Sequence, residues 1–251
     1  MEGVDLKKRC PTGIKGFDDL IAGGFPRGRT ILVAGQCGTG KTILATQFVY
    51  NGATKYNEPG IIVLLEQGPE EFKEDMKVFN MDLSALEKSG KLILIDASLS
   101  KLGMGDVLSG ASAGGFSLMP GETNLENLID VVLKVAEKVN AKRVVVDSLP
   151  ALDLMSENKH DVRKMILNIN YRLKSAGLTS VLISDLSDEV KEETEGVERY
   201  VVDGVVSLYY TTVGPDAGRT LVIDKMRRTS HSEDIHTLKF VEGYGLEVVH
   251  E

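Results

Sequence analysis

A glycine-rich motif between a predicted strand and a predicted helix constrains the fold of this chain more than any other feature. The motif, residues 35–42, reads GQCGTGKT and matches G-x-x-x-x-G-K-[ST] at every fixed position. The apolar run at 31–34 predicts a buried strand before it, and residues 42–52 predict a helix after it. In such a loop, backbone N–H groups converge on phosphate oxygens at the positive end of the helix dipole. The sequence therefore predicts a P-loop.

The P-loop residues have separate predicted roles towards a nucleoside triphosphate. Lys41 would reach the β- and γ-phosphates, and the Thr42 hydroxyl would help to hold Mg²⁺. The glycines allow the tight backbone path that brings the N–H groups to the phosphates. The residues predicted to line the bound nucleotide here are Gly35, Gly38, Thr39, Gly40, Lys41, Thr42 and Ile43.

Short apolar runs alternate with helical patterns along most of the chain. Apolar runs that are bounded by turns and separated by helices predict a mainly parallel sheet with helices on both faces. In the last third of the chain, four runs (GVVSLYY, RTLVIDK, HTLKF and LEVVH) are separated by glycine-containing turns, which predicts an antiparallel extension. We predict one α/β domain over residues 1–251, with residues 98–121 as a candidate flexible insertion.

Composition narrows the cellular setting. The longest aliphatic run, residues 61–65, is far short of the ~20 residues that span a bilayer. Residues 1–10 carry no apolar segment after their basic residues, so no secretory signal is expected. Cys10 and Cys37 are too few for a disulfide framework and, with four scattered histidines, give no zinc-binding spacing. We therefore expect a cytoplasmic protein without membrane insertion.

Charge argues against nucleic acid as a partner. The chain has 29 Lys and Arg against 37 Asp and Glu, a net charge of −8, and no tryptophan. The predicted loop at 187–198 carries six acids and one lysine, which would repel a phosphate backbone. Within the P-loop, Cys37 has two interpretations: a thiol activated by the nearby lysine and helix terminus, or a tolerated small residue.

Several acids end predicted strands, where ligands of open parallel sheets bind. Asp147 follows Val144-Val145-Val146 and has the form of a Walker B acid, which holds Mg²⁺. Glu66 follows the first strand after the P-loop helix and could activate a water molecule, or it could be a solvated strand end. Asp96 and Asp224 are interpreted as structural.

A basic run follows the predicted strand RTLVID. In an extended chain, Lys225 and Arg227 share a face and Arg228 opposes them. Two cations on one face, with Thr229 and His231 beyond them, could contact a triphosphate held by a neighbouring copy. The alternative is a charged sheet edge that discourages aggregation.

Together, these residues resemble the KaiC-like branch of the RecA superfamily, in particular its small single-domain archaeal members. The resemblance covers nearly the whole chain, and its most specific parts are residues 12–28 and the run KMRRTSH at 225–231. The other matching segments are the P-loop, Glu66, residues 79–82, VVVDS at 144–148 and VERYVVDGVV at 197–206.

The resemblance implies a RecA-like ATPase core that assembles into a ring, usually a hexamer, with ATP and Mg²⁺ between subunits. It implies that Glu66 activates water, while Lys225 and Arg227 reach the γ-phosphate of ATP held by the next subunit. By the same pattern Met226, Thr229 and His231 line that interface.

Two departures from the family pattern limit what is carried over. Relatives commonly have two adjacent glutamates where this chain has Glu66 and Gln67, and Gln67 can orient water but cannot accept its proton. Residues 197–200 contain no Ser or Thr, so self-phosphorylation there is not expected.

Three functions follow as hypotheses. The first is a regulatory ring ATPase acting on an unidentified protein partner. The second is a nucleotide-sensing scaffold with little turnover, which the pair Gln67 and Asp185 favours. The third is a recombinase-type protein that binds single-stranded DNA, against which the acidic 187–198 loop argues.

Overall fold

The computed structural model describes residues 5, 7–98, 116–117, 125–154, 159–186, 197–211 and 218–249. Its strands are β1 Arg9–Cys10, β2 Phe25–Pro26, β3 Thr30–Gly35, β4 Gly60–Leu64, β5 Leu92–Asp96, β6 Phe116–Ser117, β7 Arg143–Asp147, β8 Thr179–Asp185, β9 Gly204–Thr211, β10 Gly218–Met226, β11 His236–Val241 and β12 Gly245–Val249. Its helices are Phe17–Leu20, Lys41–Lys55 (the P-loop helix), Pro69–Lys77, Leu83–Lys88, Leu125–Val139, Lys159–Ser175 and Val197–Val201, with a 3₁₀ helix at Leu149–Leu154.

Within these residues, ten strands form one sheet in the order β12-β11-β10-β9-β3-β8-β7-β4-β5-β6, and β1 pairs with β2 apart from it. From β9 to β6 all neighbours are parallel. The strands from β9 to β12 pair antiparallel. The prediction of a mainly parallel sheet with an antiparallel extension is confirmed, with one refinement. GVVSLYY, which is β9, joins the two parts because it is parallel to β3 and antiparallel to β10.

Alternation along the parallel strands divides the core between the two faces of the sheet. In β3, Ile31 and Val33 pack into a cluster that includes Phe48 of the P-loop helix. Leu32 and Ala34 point the other way, into a cluster formed with the helices Leu125–Val139 and Lys159–Ser175. Successive strand side chains face opposite sides, so near-continuous apolar runs are buried on both faces. Helices therefore cover both faces, as predicted.

The β11–β12 hairpin is fastened to the P-loop helix by one glutamine. The Gln47 side-chain NH₂ donates to the carbonyls of Tyr244 (3.1 Å) and Leu246 (3.2 Å), and its oxygen accepts from the Leu246 N–H (2.8 Å). Gly245 has φ +105°, and a Cβ there would lie 2.7 Å from the Gln47 side chain. The antiparallel extension therefore supports the helix that follows the P-loop.

A fully buried arginine joins the starts of two parallel strands to the P-loop helix. Arg143 donates to the Phe48 carbonyl (2.7 Å) and pairs with Glu58 (2.7 Å), which also pairs with Arg27 (2.7 Å). Burial opposes the ionisation of Glu58, but the charges and hydrogen bonds of Arg143 and Arg27 outweigh it and lower its pKa. Burial raises the pKa of the adjacent Cys10 thiol to about 11.

Two of the expectations concern segments that lie largely outside the described residues. Of the candidate insertion at 98–121, Ser98 and the two residues of β6 are described, and the rest lies outside the described residues. The acidic loop also lies outside them over residues 187–196. The division into one domain over residues 1–251 stays a prediction. Among the described residues, no helix has the length and apolar character needed to cross a membrane.

Candidate nucleotide site

The P-loop lies at the carboxyl end of β3, where its backbone path requires glycine at two closely packed positions. A Cβ on Gly35 would lie 2.7 Å from both the Thr39 hydroxyl and the Leu208 carbonyl. Gly40 has φ +104°, and a Cβ there would lie 3.0 Å from the Phe240 ring. Because glycine has no Cβ at positions 35 and 40, the P-loop can pack closely against β9 and β11.

The P-loop helix presents an open N-terminus. It begins at Lys41, and within the described part of the chain no side chain caps it at Gly40. The first N–H groups of a helix lack partners within the helix, and the positive dipole end favours an anion there. The geometry agrees with the phosphate-binding role predicted from the motif.

Lys41 is held among three oxygens. Its ammonium group donates to the carbonyls of Gly35 (2.8 Å) and Gln36 (2.9 Å) and pairs with Asp185 (2.9 Å). Asp185 ends β8 next to β3, and its side chain is exposed. A phosphate bound in the P-loop would compete with the Asp185 carboxylate for the same ammonium group.

Two acids predicted from strand ends, Glu66 and Asp147, meet beside the P-loop helix. The Thr42 hydroxyl approaches the Asp147 carboxylate, and the Ser148 hydroxyl donates to Glu66. Burial, with a smaller contribution from the charge of Glu66, raises the pKa of Asp147 to about 6. Near neutral pH this carboxylate is still ionised and available to a cation.

Two cavities open at this edge of the sheet. One of about 360 Å³ extends along the P-loop, and one of about 480 Å³ extends towards the helix Pro69–Lys77. Both are lined by Thr42, Ile43, Glu66 and Asp147. The space is therefore bounded by the groups predicted to bind phosphate, to hold a metal and to activate water.

The oxygen donors at this position fit Mg²⁺ rather than a metal enclosed by protein. Thr42 supplies a hydroxyl and Asp147 a carboxylate, beside open volume. Mg²⁺ prefers oxygen, keeps several waters and usually takes one or two carboxylates plus substrate phosphates. Among the described residues, no group of three or more His, Cys, Asp or Glu side chains could hold a metal alone.

The basic segment, residues 225–231, lies at the opposite end of the parallel strands from the P-loop, where β3 and β9 begin. Met226 pairs with Gly204, which pairs with Ile31 at the start of β3. The P-loop instead begins at Gly35, four residues further along β3, which is about 13 Å at the rise of a strand. The structure therefore does not bring Lys225 and Arg227 to the P-loop of their own chain.

Neighbouring residues hold the basic segment in place. The Lys225 ammonium group donates to the carbonyls of Arg199 (3.1 Å) and Val202 (2.7 Å), while the Thr229 hydroxyl accepts from Arg9 (2.6 Å). The strand ends at Met226, so the extended geometry assumed for residues 225–228 stops there, and Arg228 has φ +59° in the turn that follows.

The individual side chains of this segment differ in what they can offer a ligand. Met226 is buried against Gly204, so only its backbone could face a nucleotide. His231 Nδ1 lies 2.9 Å from the Ser232 carbonyl. Arg227 is 54% exposed, whereas the Lys225 ammonium group is bound to backbone carbonyls.

The remaining strand-end acids have structural partners. Asp224 pairs with Arg199 (2.7 Å), and Asp96 accepts from the N–H (3.1 Å) and hydroxyl (2.7 Å) of Ser98. The structural interpretation of both acids agrees with these contacts.

Sequence reasoning did not predict that Arg219 packs against the P-loop. Arg219 donates to the Gly38 carbonyl (3.1 Å), and its guanidinium lies 4.3 Å from the centre of the Phe240 ring. Arg219 and Gly38 are 181 residues apart, so no local pattern connects them. The Ser148 contact with Glu66 was also missed, although Ser148 directly follows the predicted Walker B acid.

Comparison with known proteins identifies the family. The family model described as "ATPase: KaiC" matches residues 10–251. The circadian clock oscillator protein KaiC of Thermostichus vulcanus is 37% identical over 225 residues, which cover 89% of this chain and 41% of that protein. The corresponding protein of Parathermosynechococcus lividus is 38% identical over 232 residues, which cover 92% of this chain and 40% of that protein. The chain thus spans about two fifths of these relatives.

A solved structure agrees with the sequence comparisons. A KaiC-like protein from the hyperthermophilic archaeon Pyrococcus horikoshii OT3 superposes with a TM-score of 0.80 at 32% identity. The match covers 96% of this chain and 98% of that one, so the two folds correspond over nearly their full lengths. With its P-loop, RecA-like sheet and matching family model, this chain belongs to the KaiC family of ATPases.

Proposed function

We propose that the protein is a Mg²⁺-dependent ATPase that forms a hexameric ring, binds ATP between subunits and regulates a partner protein through its nucleotide state. One observation supports this most strongly. The candidate phosphate-binding groups and the candidate catalytic cations lie at opposite edges of one sheet, separated along β3. A copy placed beside the P-loop could supply the cations that the chain itself cannot bring there.

In this proposal the P-loop N–H groups and Lys41 bind the phosphates, and Lys41 exchanges Asp185 for phosphate oxygens. Thr42 and Asp147 would hold Mg²⁺, which when bound neutralises charge between the phosphates. Asp147 must be ionised for this role, and its pKa of about 6 meets that condition at neutral pH.

Glu66 orients the attacking water and accepts its proton. The Ser148 hydroxyl donates to Glu66 and restrains the carboxylate beside the cavity. Gln67 lines the adjoining cavity and can orient water only, because an amide does not accept the proton. Catalysis would then come from positioning and charge stabilisation rather than from a covalent intermediate.

Lys225 and Arg227 stabilise charge on the γ-phosphate of ATP held by the next subunit. Met226, Thr229 and His231 line that interface. A cation supplied from a neighbouring subunit is worth about 10³ or more in rate in related phosphoryl-transfer enzymes.

The experiment is light scattering with and without ATP and Mg²⁺, run alongside phosphate release, for the wild type and Lys41→Ala. We expect the wild type to reach six times the mass of one chain and release phosphate, and Lys41→Ala to lose ATP binding and turnover. Lys88→Ala changes an exposed lysine at the end of a distant helix and serves as the control. A single subunit that hydrolyses ATP at the full rate would contradict the proposal.

A nucleotide-sensing scaffold is the second candidate, favoured by the pair between Lys41 and Asp185 and by Gln67. The same experiment separates the two. Tight ATP binding and ring assembly with no phosphate released under single-turnover conditions would support the scaffold over the ATPase.

A further inference from the structure

Asp203, at the start of β9, is a buried carboxylate surrounded by cations from three parts of the chain. It is 1% exposed. Lys174 lies 2.8 Å from one carboxylate oxygen, while Arg29 (3.3 Å) and Arg227 (3.8 Å) approach the other. None of these contacts belongs to the P-loop side of the molecule. They place a buried negative charge directly behind Arg227, an exposed cation of the basic segment.

Asp203 holds Arg227 in two ways. Its carbonyl accepts from the Arg227 N–H (2.8 Å), and its carboxylate attracts the Arg227 guanidinium. Asp203 is itself fixed to the sheet, because its N–H donates to the Thr30 carbonyl (2.9 Å). Through Asp203, the position of Arg227 is therefore fixed relative to the central strand β3.

The pair between Arg227 and Asp203 is poorly placed to stabilise the fold but well placed to orient a side chain. At 3.8 Å, with Arg227 54% exposed, it is longer than a hydrogen bond and open to solvent. Its length and the exposure of Arg227 limit what the pair can contribute to stability. Arg227 can therefore keep its orientation while about half of its side chain stays exposed.

The charges around Asp203 would otherwise repel one another. Burial lowers the pKa of Lys225, and the nearby charge of Arg227 lowers it further. The charge of Asp203 acts in the opposite direction and raises it. Without the carboxylate, Arg227 would face Lys225, Arg29 and Lys174 with their repulsion uncompensated at this point.

We propose that Asp203 is a positioning residue that aims Arg227 of its own subunit at the ATP of the neighbouring subunit. This rests on the proposed function, because it requires Arg227 to act across the interface. Asp203 does not touch the nucleotide. It fixes the backbone position of Arg227 and the orientation of the Arg227 guanidinium.

The first measurement is the kinetics of Asp203→Asn, which keeps the backbone contact and side-chain shape but removes the charge. We expect kcat to fall about tenfold while KM for ATP stays within about threefold, because nucleotide binding in the P-loop is untouched. Lys174→Met is the matched control. It removes a cation from the other oxygen of the same carboxylate and should leave kcat within about twofold.

The second measurement mixes variants. A subunit carrying Asp203→Asn has an intact P-loop but misdirects Arg227, whereas Lys41→Ala has a defective P-loop and a well-placed Arg227. In mixed rings, the P-loop of the first variant can face the Arg227 of the second. We expect the mixture to turn over ATP faster than the sum of the separate variants. Arg227→Ala mixed with Lys41→Ala is the positive control.

The outcomes separate this inference from the proposed function. If Arg227→Ala recovers activity on mixing but Asp203→Asn does not, Asp203 is only structural and the inference is wrong. It is also wrong if Asp203→Asn alone keeps the wild-type kcat, or if Lys174→Met loses as much kcat as Asp203→Asn. If the Arg227→Ala mixture fails to recover, the arrangement across subunits is wrong and the inference is overturned with it.

Discussion

Glu58 and Glu66 flank the same strand, β4, and have opposite surroundings. Glu58 precedes β4 and lies between Arg143 and Arg27, each 2.7 Å away. Glu66 lies two residues after the end of β4, is exposed, lines both cavities and accepts from the Ser148 hydroxyl. Two identical side chains eight residues apart therefore have different surroundings: one carboxylate is neutralised inside the fold and the other faces an open site.

The same contrast holds for the two edges of the parallel sheet. At the edge where the strands end, Glu66, Asp147 and Asp185 surround Lys41 and open volume. At the edge where they begin, Glu58 and Asp203 are held by arginines and lysines. Glu58 and Asp203, which stabilise the fold, each contact several cations, whereas the candidate catalytic and metal-binding acids line an open cavity. Four predictions test this difference, from the largest expected effect to the smallest.

Arg227→Ala should lower kcat by about 10³ and affect ATP binding far less, because every site in the variant ring loses the cation that stabilises the transition state but keeps its own P-loop and Lys41. Phosphate release and equilibrium ATP binding are the measurements. Arg228→Asn is the control, since Asn tolerates the φ of +59° at that position. Equal losses in both variants would show that the turn, rather than Arg227, is what matters.

Glu58→Gln should lower the free energy of unfolding by about 3 kcal/mol, because it leaves the fully buried Arg143 without its charged partner. Chemical denaturation measures this loss. The pKa of Glu58 is lowered in the folded protein, so the loss should be complete above pH 4.5 and shrink as the pH falls through the folded-state pKa. Glu70→Gln, in the exposed pair with Lys73, is the control and should cost under about 0.5 kcal/mol.

Glu66→Gln should lower kcat by about 100-fold, as expected for the loss of a general base, while the free energy of unfolding changes by less than about 1 kcal/mol. Steady-state turnover and denaturation of the same preparation measure both. A variant that keeps the full rate would contradict the role of Glu66. A variant as unstable as Glu58→Gln would contradict the distinction between the two ends of β4.

Asp147→Asn should stabilise the nucleotide-free protein near pH 7 by about 2 to 3 kcal/mol and abolish Mg²⁺-dependent ATP binding. The pKa of Asp147 rises from 3.8 to about 6 on folding, so the folded protein binds more protons in that interval. Wild-type stability should therefore fall as the pH rises from about 4 to about 6, and the gain in the variant should disappear at the acid end. Thermal unfolding at several pH values measures it, and a gain that is independent of pH would be evidence against this origin.

Much of the candidate site could be predicted from short stretches of sequence. The P-loop, the P-loop helix and the Walker B position of Asp147 each depend on residues next to one another, because backbone geometry and strand periodicity are local. Apolar runs on both sides of the P-loop likewise predicted the parallel sheet.

Contacts between distant residues could not be predicted in this way. The parallel pairing of β9 with β3 joins residues far apart in the chain, such as Gly204 and Ile31. The Arg219 contact with Gly38 joins residues 181 positions apart. Asp203 lies within the run VVDG, where nothing local shows that Arg29, Lys174 and Arg227 converge on it.

The sequence by itself determined the phosphate-binding loop, the class of fold and the family pattern, since these depend on neighbouring residues and their periodicity. Only the tertiary structure decided which acids are neutralised and which stay open, because burial and ion pairing come from residues far away in the chain. It also decided that Lys225 and Arg227 lie at the edge opposite the P-loop. A strand's two ends are separated by its length, and no side chain at one end can reach a ligand at the other.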